Sequence, residues 1–111
     1  MFEAIQTTER DVDFNTVQIT GKIFKEPIFR LTPKGRKIVD VLLMIQRTQG
    51  KSDYIPCIFW GDEAEFVANE FKVGDNITID GRLQSRKYSK IEDGKMLIKV
   101  AYEVSGKLLC Q

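Results

Sequence analysis

Apolar and polar residues alternate from Asn15 onward, and the alternation predicts strands. Val17, Ile19, Gly21 and Ile23 take one face, with Thr16, Gln18, Thr20 and Lys22 on the other, which is the pattern of a half-buried first strand. Pro27 and the turn-forming run Thr32-Pro33-Lys34-Gly35 break the chain before a second strand. That strand, Ile38 to Gln46, is nearly continuously apolar and rich in β-branched residues, so it is expected to be covered on both faces. A short loop, Thr48 to Ser52, leads into a third strand, Tyr54 to Trp60, with Pro56 expected near its start or at a bulge. Tyr54, Ile58 and Trp60 then share one face, and Ile55, Cys57 and Phe59 the other.

Only Asp62 to Phe71 has helical spacing. Asp62 is the expected N-cap, acidic residues fill the first turn, and Ala64, Val67, Ala68 and Phe71 form an apolar stripe. After Val73-Gly74-Asp75 a fourth strand is expected from Asn76 to Ser85, with Ile77, Ile79, Gly81 and Leu83 on one side. A flexible hairpin from Arg86 through Glu92-Asp93-Gly94 leads to a fifth strand, Met96 to Ser105. This β-β-β-α-β-β order is that of an all-β, five-stranded Greek-key barrel, the OB-fold, with its helix between strands three and four. Ile19-Thr20-Gly21-Lys22-Ile23 and Ile79-Asp80-Gly81-Arg82-Leu83 each place a glycine in mid-strand, where a closing barrel must bend sharply. The predicted organisation is an acidic extension over 1–14, one OB domain over 15–107 and a short end over 108–111. Phe2, Ile5, Val12 and Phe14 of the extension could dock on a neighbour.

Length and composition narrow the class. A chain of 111 residues is one domain, small enough to gain from self-association. No apolar run approaches the ~20 residues of a membrane span, and a signal peptide is not expected. Cys57 and Cys110 make no disulfide framework, so a reduced, cytoplasmic protein is expected. The net charge is only +1, but Glu3, Glu9, Asp11 and Asp13 stand against Arg10 alone before Asn15, which leaves about +4 for the rest.

Both faces of the third strand carry large apolar groups. With Phe59 placed inward, Trp60 and Tyr54 are left to pack on a partner or to meet flat ligands such as bases. Gly81-Arg82-Leu83-Gln84-Ser85-Arg86-Lys87-Tyr88 adds a third aromatic beside three cations. Aromatics interleaved with Arg and Lys on a sheet suit a single-stranded nucleic acid, which needs stacking platforms and a phosphate track. Arg86 and Lys87 are the leading cations because they adjoin Tyr88; Lys22, Arg36, Lys37, Arg47 and Arg82 follow. Lys51, Lys95 and Lys99 read as ordinary surface, and Tyr102 as packing.

Several spaced motifs resemble the bacterial single-stranded DNA-binding protein family. They are Asn15-Thr16-Val17-Gln18-Ile19-Thr20-Gly21; Pro27 followed by Arg30; Thr32-Pro33-Lys34-Gly35; and Arg47. Phe59-Trp60-Gly61 with Ala64-Glu65, Gly74-Asp75, and Gly81-Arg82-Leu83 running into Arg86-Lys87-Tyr88 complete the set, which spans Asn15 to about Gly106. The resemblance implies sequence-tolerant binding of single-stranded DNA by a homo-oligomer, a tetramer more than a dimer, in replication, recombination and repair, with a cytoplasmic, nucleoid-associated location. It also places Tyr54, Trp60 and Tyr88 at stacking positions, and Arg30, Lys72, Arg86 and Lys87 at phosphate-contacting positions. The sequence departs from the family in several places. Asp62, Pro56 and Gln84 stand where bases occur, the loop at Thr48 to Ser52 is short, and the chain stops at Leu108-Leu109-Cys110-Gln111 without the acidic, Phe-ending tail. Replication partners gathered by that tail are therefore not expected to bind.

Catalysis finds little support. The chain has no His, hence no imidazole base or imidazole metal ligand. Asp62, Glu63 and Glu65 read as helix-start residues, Cys57 as inert core, and two cysteines alone make no zinc site. Neither enzyme activity nor a metal or other cofactor is expected, and no membrane association. The alternative to single-strand binding is a primosome-like OB-fold that meets other proteins and binds nucleic acid weakly.

Overall fold

Residues at every second position of the strands supply the core. The computed structural model describes residues 13–108. Its elements are β1 (Val17–Ile23), β2 (Ile28–Leu31), β3 (Lys37–Gln46), β4 (Ser52–Trp60), α1 (Gly61–Glu70), β5 (Asn76–Glu92) and β6 (Lys95–Leu108). Ile23, Val39, Val41, Leu43, Cys57, Phe59, Ile77, Ile79 and Val104 point inward and are at most 3% exposed. Ala64 and Val67 of α1 complete the cluster, with Ala68 and Phe71 packed against it, so the helical stripe is used as its spacing predicts.

Hydrogen-bonded neighbours run β1-β5-β6-β4-β3-β2, and β1 also pairs with β3. Five strands thus form a closed ring, as the OB-fold expectation requires, and β2 hangs on the edge of β3. The β4–β6 pairing is parallel, and the other pairings are antiparallel. The ring closes at Lys22–Ile23, where β1 leaves β5 for β3. A Cβ on Gly21 would meet the Met44 carbonyl oxygen at 2.7 Å, and one on Gly81 would meet that of Ser105 at 2.1 Å. Close backbone approach therefore demands these two glycines, beyond any bend they permit.

Four expectations need correction. The segment after Pro27 is a sixth strand, β2, outside the five-stranded ring, in which the helix keeps its expected place between the third and fourth strands, β4 and β5. All four residues of β2 are exposed, so burial leaves no period in its sequence. Residues 86–92 are regular β-ladder rather than a flexible hairpin, paired out to Glu92↔Lys95 around a two-residue Asp93-Gly94 turn with positive φ at both positions. Asp62 does not cap α1: Trp60 holds the N-cap position without a side-chain cap bond, and Asp62 lies in the first turn. Finally, Val39, Val41 and Leu43 on the inner face of β3 are buried, but on its outer face only Ile38 is, and Asp40, Leu42 and Met44 are half covered. Phe14 is exposed; Phe2, Ile5, Val12 and Cys110 lie outside the described residues.

Candidate nucleic-acid interface

Strand register assembles the outer face. Tyr54, Pro56, Ile58 and Trp60 of β4 stand opposite Met44, Leu42, Asp40 and Ile38 of β3, and Ile58 stands opposite Ser105 of β6 on the other side. At the rise of a strand, Tyr54 and Trp60 are separated by about 20 Å along β4. Phe59 and Cys57 turn inward between them and are buried.

Trp60 is half-buried, and its Nε1 donates to Ser105 Oγ at 3.3 Å. The Arg36 guanidinium carbon lies 4.6 Å from the centroid of the ring. A tight turn fixes that position: Arg36 N donates to Thr32 Oγ1 at 2.9 Å, Thr32 N to Arg36 O at 2.9 Å and Gly35 N to Thr32 O at 2.8 Å. An exposed cation–π contact is worth about 0.5–1 kcal/mol and a stacked base about 1–3 kcal/mol, so a base can displace Arg36 from the ring. Beside Trp60 an open cavity of about 480 Å³ is lined by Arg82, Lys107, Asn15 and Ser105, with Glu63 and Asp80 adding the opposite charge. Asn15 is not itself free to bind. Its amide bridges the Leu83 backbone, donating to the carbonyl at 2.6 Å and accepting from the N–H at 3.0 Å, and so prolongs the β1–β5 ladder.

Tyr54 is 49% exposed and meets Phe24 edge-on, with centroids 4.9 Å apart and planes at 67°. Lys22 stands opposite Met44, which stands opposite Tyr54, so all three occupy one row of the outer face. Tyr88 and Arg86 lie on the outer face of the β5–β6 ribbon, with Tyr88 38% exposed. Lys87, opposite Val100, lies on the other face of that ribbon. Lys72 is exposed in the loop after α1, where its backbone N–H donates to Asp75 Oδ2 at 2.8 Å.

The remaining candidates are already engaged. Lys37 turns to the helix side and pairs with Glu65, and with Asp62 at 3.6 Å. Arg47 grips Asp53 through two bonds of 2.7 and 2.9 Å, which raise the guanidinium pKa and lower that of the carboxyl. Arg30 Nε meets Asp40 Oδ2 at 2.7 Å, and that bond is the leading cause of its raised pKa. Arg86 Nε donates to Glu103 Oε1 at 3.1 Å, while Gln84 Nε2 donates to Oε2 at 2.7 Å. Glu103 is 5% exposed. Asp40 and Glu103 are the residues that sequence reasoning missed. Their signal was an acid interrupting the apolar runs Ile38-Val39-Asp40-Val41 and Tyr102-Glu103-Val104. Cys57 behaves as expected of inert core: desolvation, aided by the charge of Glu103, pushes its thiol up to about 12.

Residues 14–105 match the single-strand binding protein family. Single-stranded DNA-binding protein A of Bacillus subtilis is 33% identical over 90 residues, which is 76% of this chain and 52% of that protein. A single-stranded DNA-binding protein of Bacillus cereus is 39% identical over 87 residues, covering 73% of this chain and 51% of its own. Single-stranded DNA-binding protein 2 of Listeria innocua is 38% identical over 87 residues, covering 73% and 54%. The chain therefore spans about half the length of the curated relatives it matches.

Proposed function

The chain belongs to the single-strand binding protein family, and on that footing we propose that it binds single-stranded DNA without catalysis, in replication, recombination and repair in the bacterial cytoplasm. One observation carries this reading: a single strand, β4, holds Trp60 and Tyr54 on the outer face of a closed ring, with Arg36 over the Trp60 ring and Lys22 in the row of Tyr54. Trp60, Tyr54 and Tyr88 stack bases, each contributing about 1–3 kcal/mol. Arg36, Arg82, Arg30, Arg86 and Lys22 meet phosphates from the same face, Lys72 from the loop after α1, while Lys87, Lys37 and Arg47 play smaller parts.

The test is titration of the chain with oligo-dT while following Trp60 fluorescence across a series of NaCl concentrations. Strong quenching is expected, with a shallow salt dependence because several cations are already paired. Single-strand binding has a slope of about −0.7 per phosphate neutralised, and Arg86→Ala should flatten it by less than about one unit. A Trp60 signal indifferent to oligo-dT would favour the alternative, a protein-interaction OB-fold.

Self-association is the second part of the proposal. Past the barrel, the inner face of the β5–β6 ribbon carries Ile91, Met96, Ile98, Val100 and Tyr102, all exposed in the single chain. A lone two-stranded ribbon is marginal in water, and an apolar face of this kind marks an association surface. We expect a homo-oligomer, tetramer over dimer, that persists without DNA and offers one strand several identical tracks. Light scattering should give a multiple of the chain mass at micromolar protein, and a monomer would refute the assembly.

A further inference from the structure

A strand of DNA running from Tyr54 to Trp60 must cross Pro56 and Ile58, and this midpoint is flanked by two carboxylates. Asp40 stands opposite Ile58 from β3, and Glu103 precedes Val104, the partner of Cys57, on β6. With Lys25, Glu26, Ile28 and Arg86 they line a cleft of about 190 Å³. Its lining holds more acid than base, on a face that otherwise suits phosphate. Each carboxylate holds an arginine from a neighbouring strand. Asp40 takes Arg30 through two contacts of 2.7 and 3.4 Å, and Glu103 takes Arg86 at 3.1 Å. The charge of Glu103 also reaches Arg30, so the four groups form one cluster across β2, β3, β5 and β6.

Resting on the single-strand reading above, we propose that Asp40 and Glu103 are built-in competitors for DNA phosphate, holding Arg30 and Arg86 against the sheet and keeping the affinity of the face below what its arginines alone would give. A phosphate that approaches Arg30 finds Nε and one Nη already committed. It either shares the guanidinium or takes it, and taking it leaves Asp40 uncompensated beside the incoming negative charge. Such a pre-paired cation also releases fewer counterions on binding, which flattens the salt response. The face thus binds DNA more weakly and with less salt sensitivity than an unopposed set of arginines would.

Asp40→Asn tests this in the full chain, since the amide keeps the shape of the carboxylate and removes its charge. The readout is anisotropy of a fluorescein-labelled oligo-dT at several NaCl concentrations. Expected are tightening of about 2- to 5-fold at low salt, the scale on which partly exposed ion pairs matter, and a slope steeper by up to about 0.7. The gain should vanish when Asp40→Asn is placed on Arg30→Ala. Two results overturn the proposal: unchanged or weaker binding by a variant with wild-type circular dichroism and melting, or a gain that survives the loss of Arg30. The first would mean that Asp40 positions Arg30 for phosphate, and the second that only overall charge matters. Glu103→Gln should act in the same direction. Should that buried site not tolerate the change, Asp40, which is half-exposed, decides alone. Absence of oligo-dT binding by the wild-type chain would overturn the single-strand reading and this inference together, whereas a binding wild type with an unresponsive Asp40→Asn overturns the inference alone.

Discussion

Trp60→Ala is expected to weaken oligo-dT binding by about 1–3 kcal/mol while the melting temperature stays close to wild type. The ring lies on the outer face of β4, held at its edge by one bond to Ser105 and covered by the Arg36 guanidinium. Neither contact belongs to the buried cluster. Deleting the indole removes a platform and leaves Arg36 in place, so part of the phosphate attraction remains. Anisotropy with labelled oligo-dT, read beside a melting curve, separates the outcomes. A variant that unfolds or loses its assembly, with the binding of its folded fraction unaltered, would assign Trp60 to packing.

Its neighbour should behave in the opposite way. Phe59→Ala is expected to lower stability by about 3–5 kcal/mol, because a fully buried aromatic loses its transfer free energy and leaves a cavity that the ring of strands cannot collapse to fill. Phe59 is 0% exposed and lies among Val39, Val41 and Val67 of the same cluster. A loss of that size is a large share of the 5–15 kcal/mol typical of a domain. Urea denaturation should show a lower midpoint with an unchanged slope. At low temperature the surviving folded protein should still bind oligo-dT, since the Trp60 side of the strand is untouched. A midpoint shift within a few tenths of a molar would contradict the assigned orientation of β4.

The opposite orientations of these two neighbours were legible in the sequence because a strand alternates faces, and a large apolar residue at both parities forces a choice. The helical stripe of Ala64, Val67, Ala68 and Phe71 was legible from its own local period. What lay beyond reach depends on partners distant along the chain. β2 is four exposed residues that owe their conformation to pairing with β3. The length of β5 is hidden by Arg86-Lys87-Tyr88-Ser89-Lys90, whose polar character suggests a loop until β6 is laid alongside. The pairing of Arg86 with Glu103 joins residues 17 apart, and Lys37 meets Glu65 across 28. Arg36 reaches Trp60 only because β3 and β4 are in register at Ile38↔Trp60. Charge counted along the chain overstated the free positive charge of the outer face, since register decides which cations are opposed.

Ring closure also orders events in time. β1 finds its main partner in β5, so Val17 must wait for Gly81, and Lys22 for Asn76. On a ribosome the first strand emerges more than fifty residues ahead of the segment that will cover it. Meanwhile β3 and β4, joined by a short turn, can pair at once. Non-local pairing of this kind is slow, on the millisecond-to-second scale of barrels of similar size. The short β1, which carries Gly21 near its end and is lined on its outer side with Gln18, Thr20 and Lys22, is poorly suited to sticking elsewhere during that wait. The glycine that lets the barrel shut thus also keeps its first strand unattractive to other chains until β5 is made.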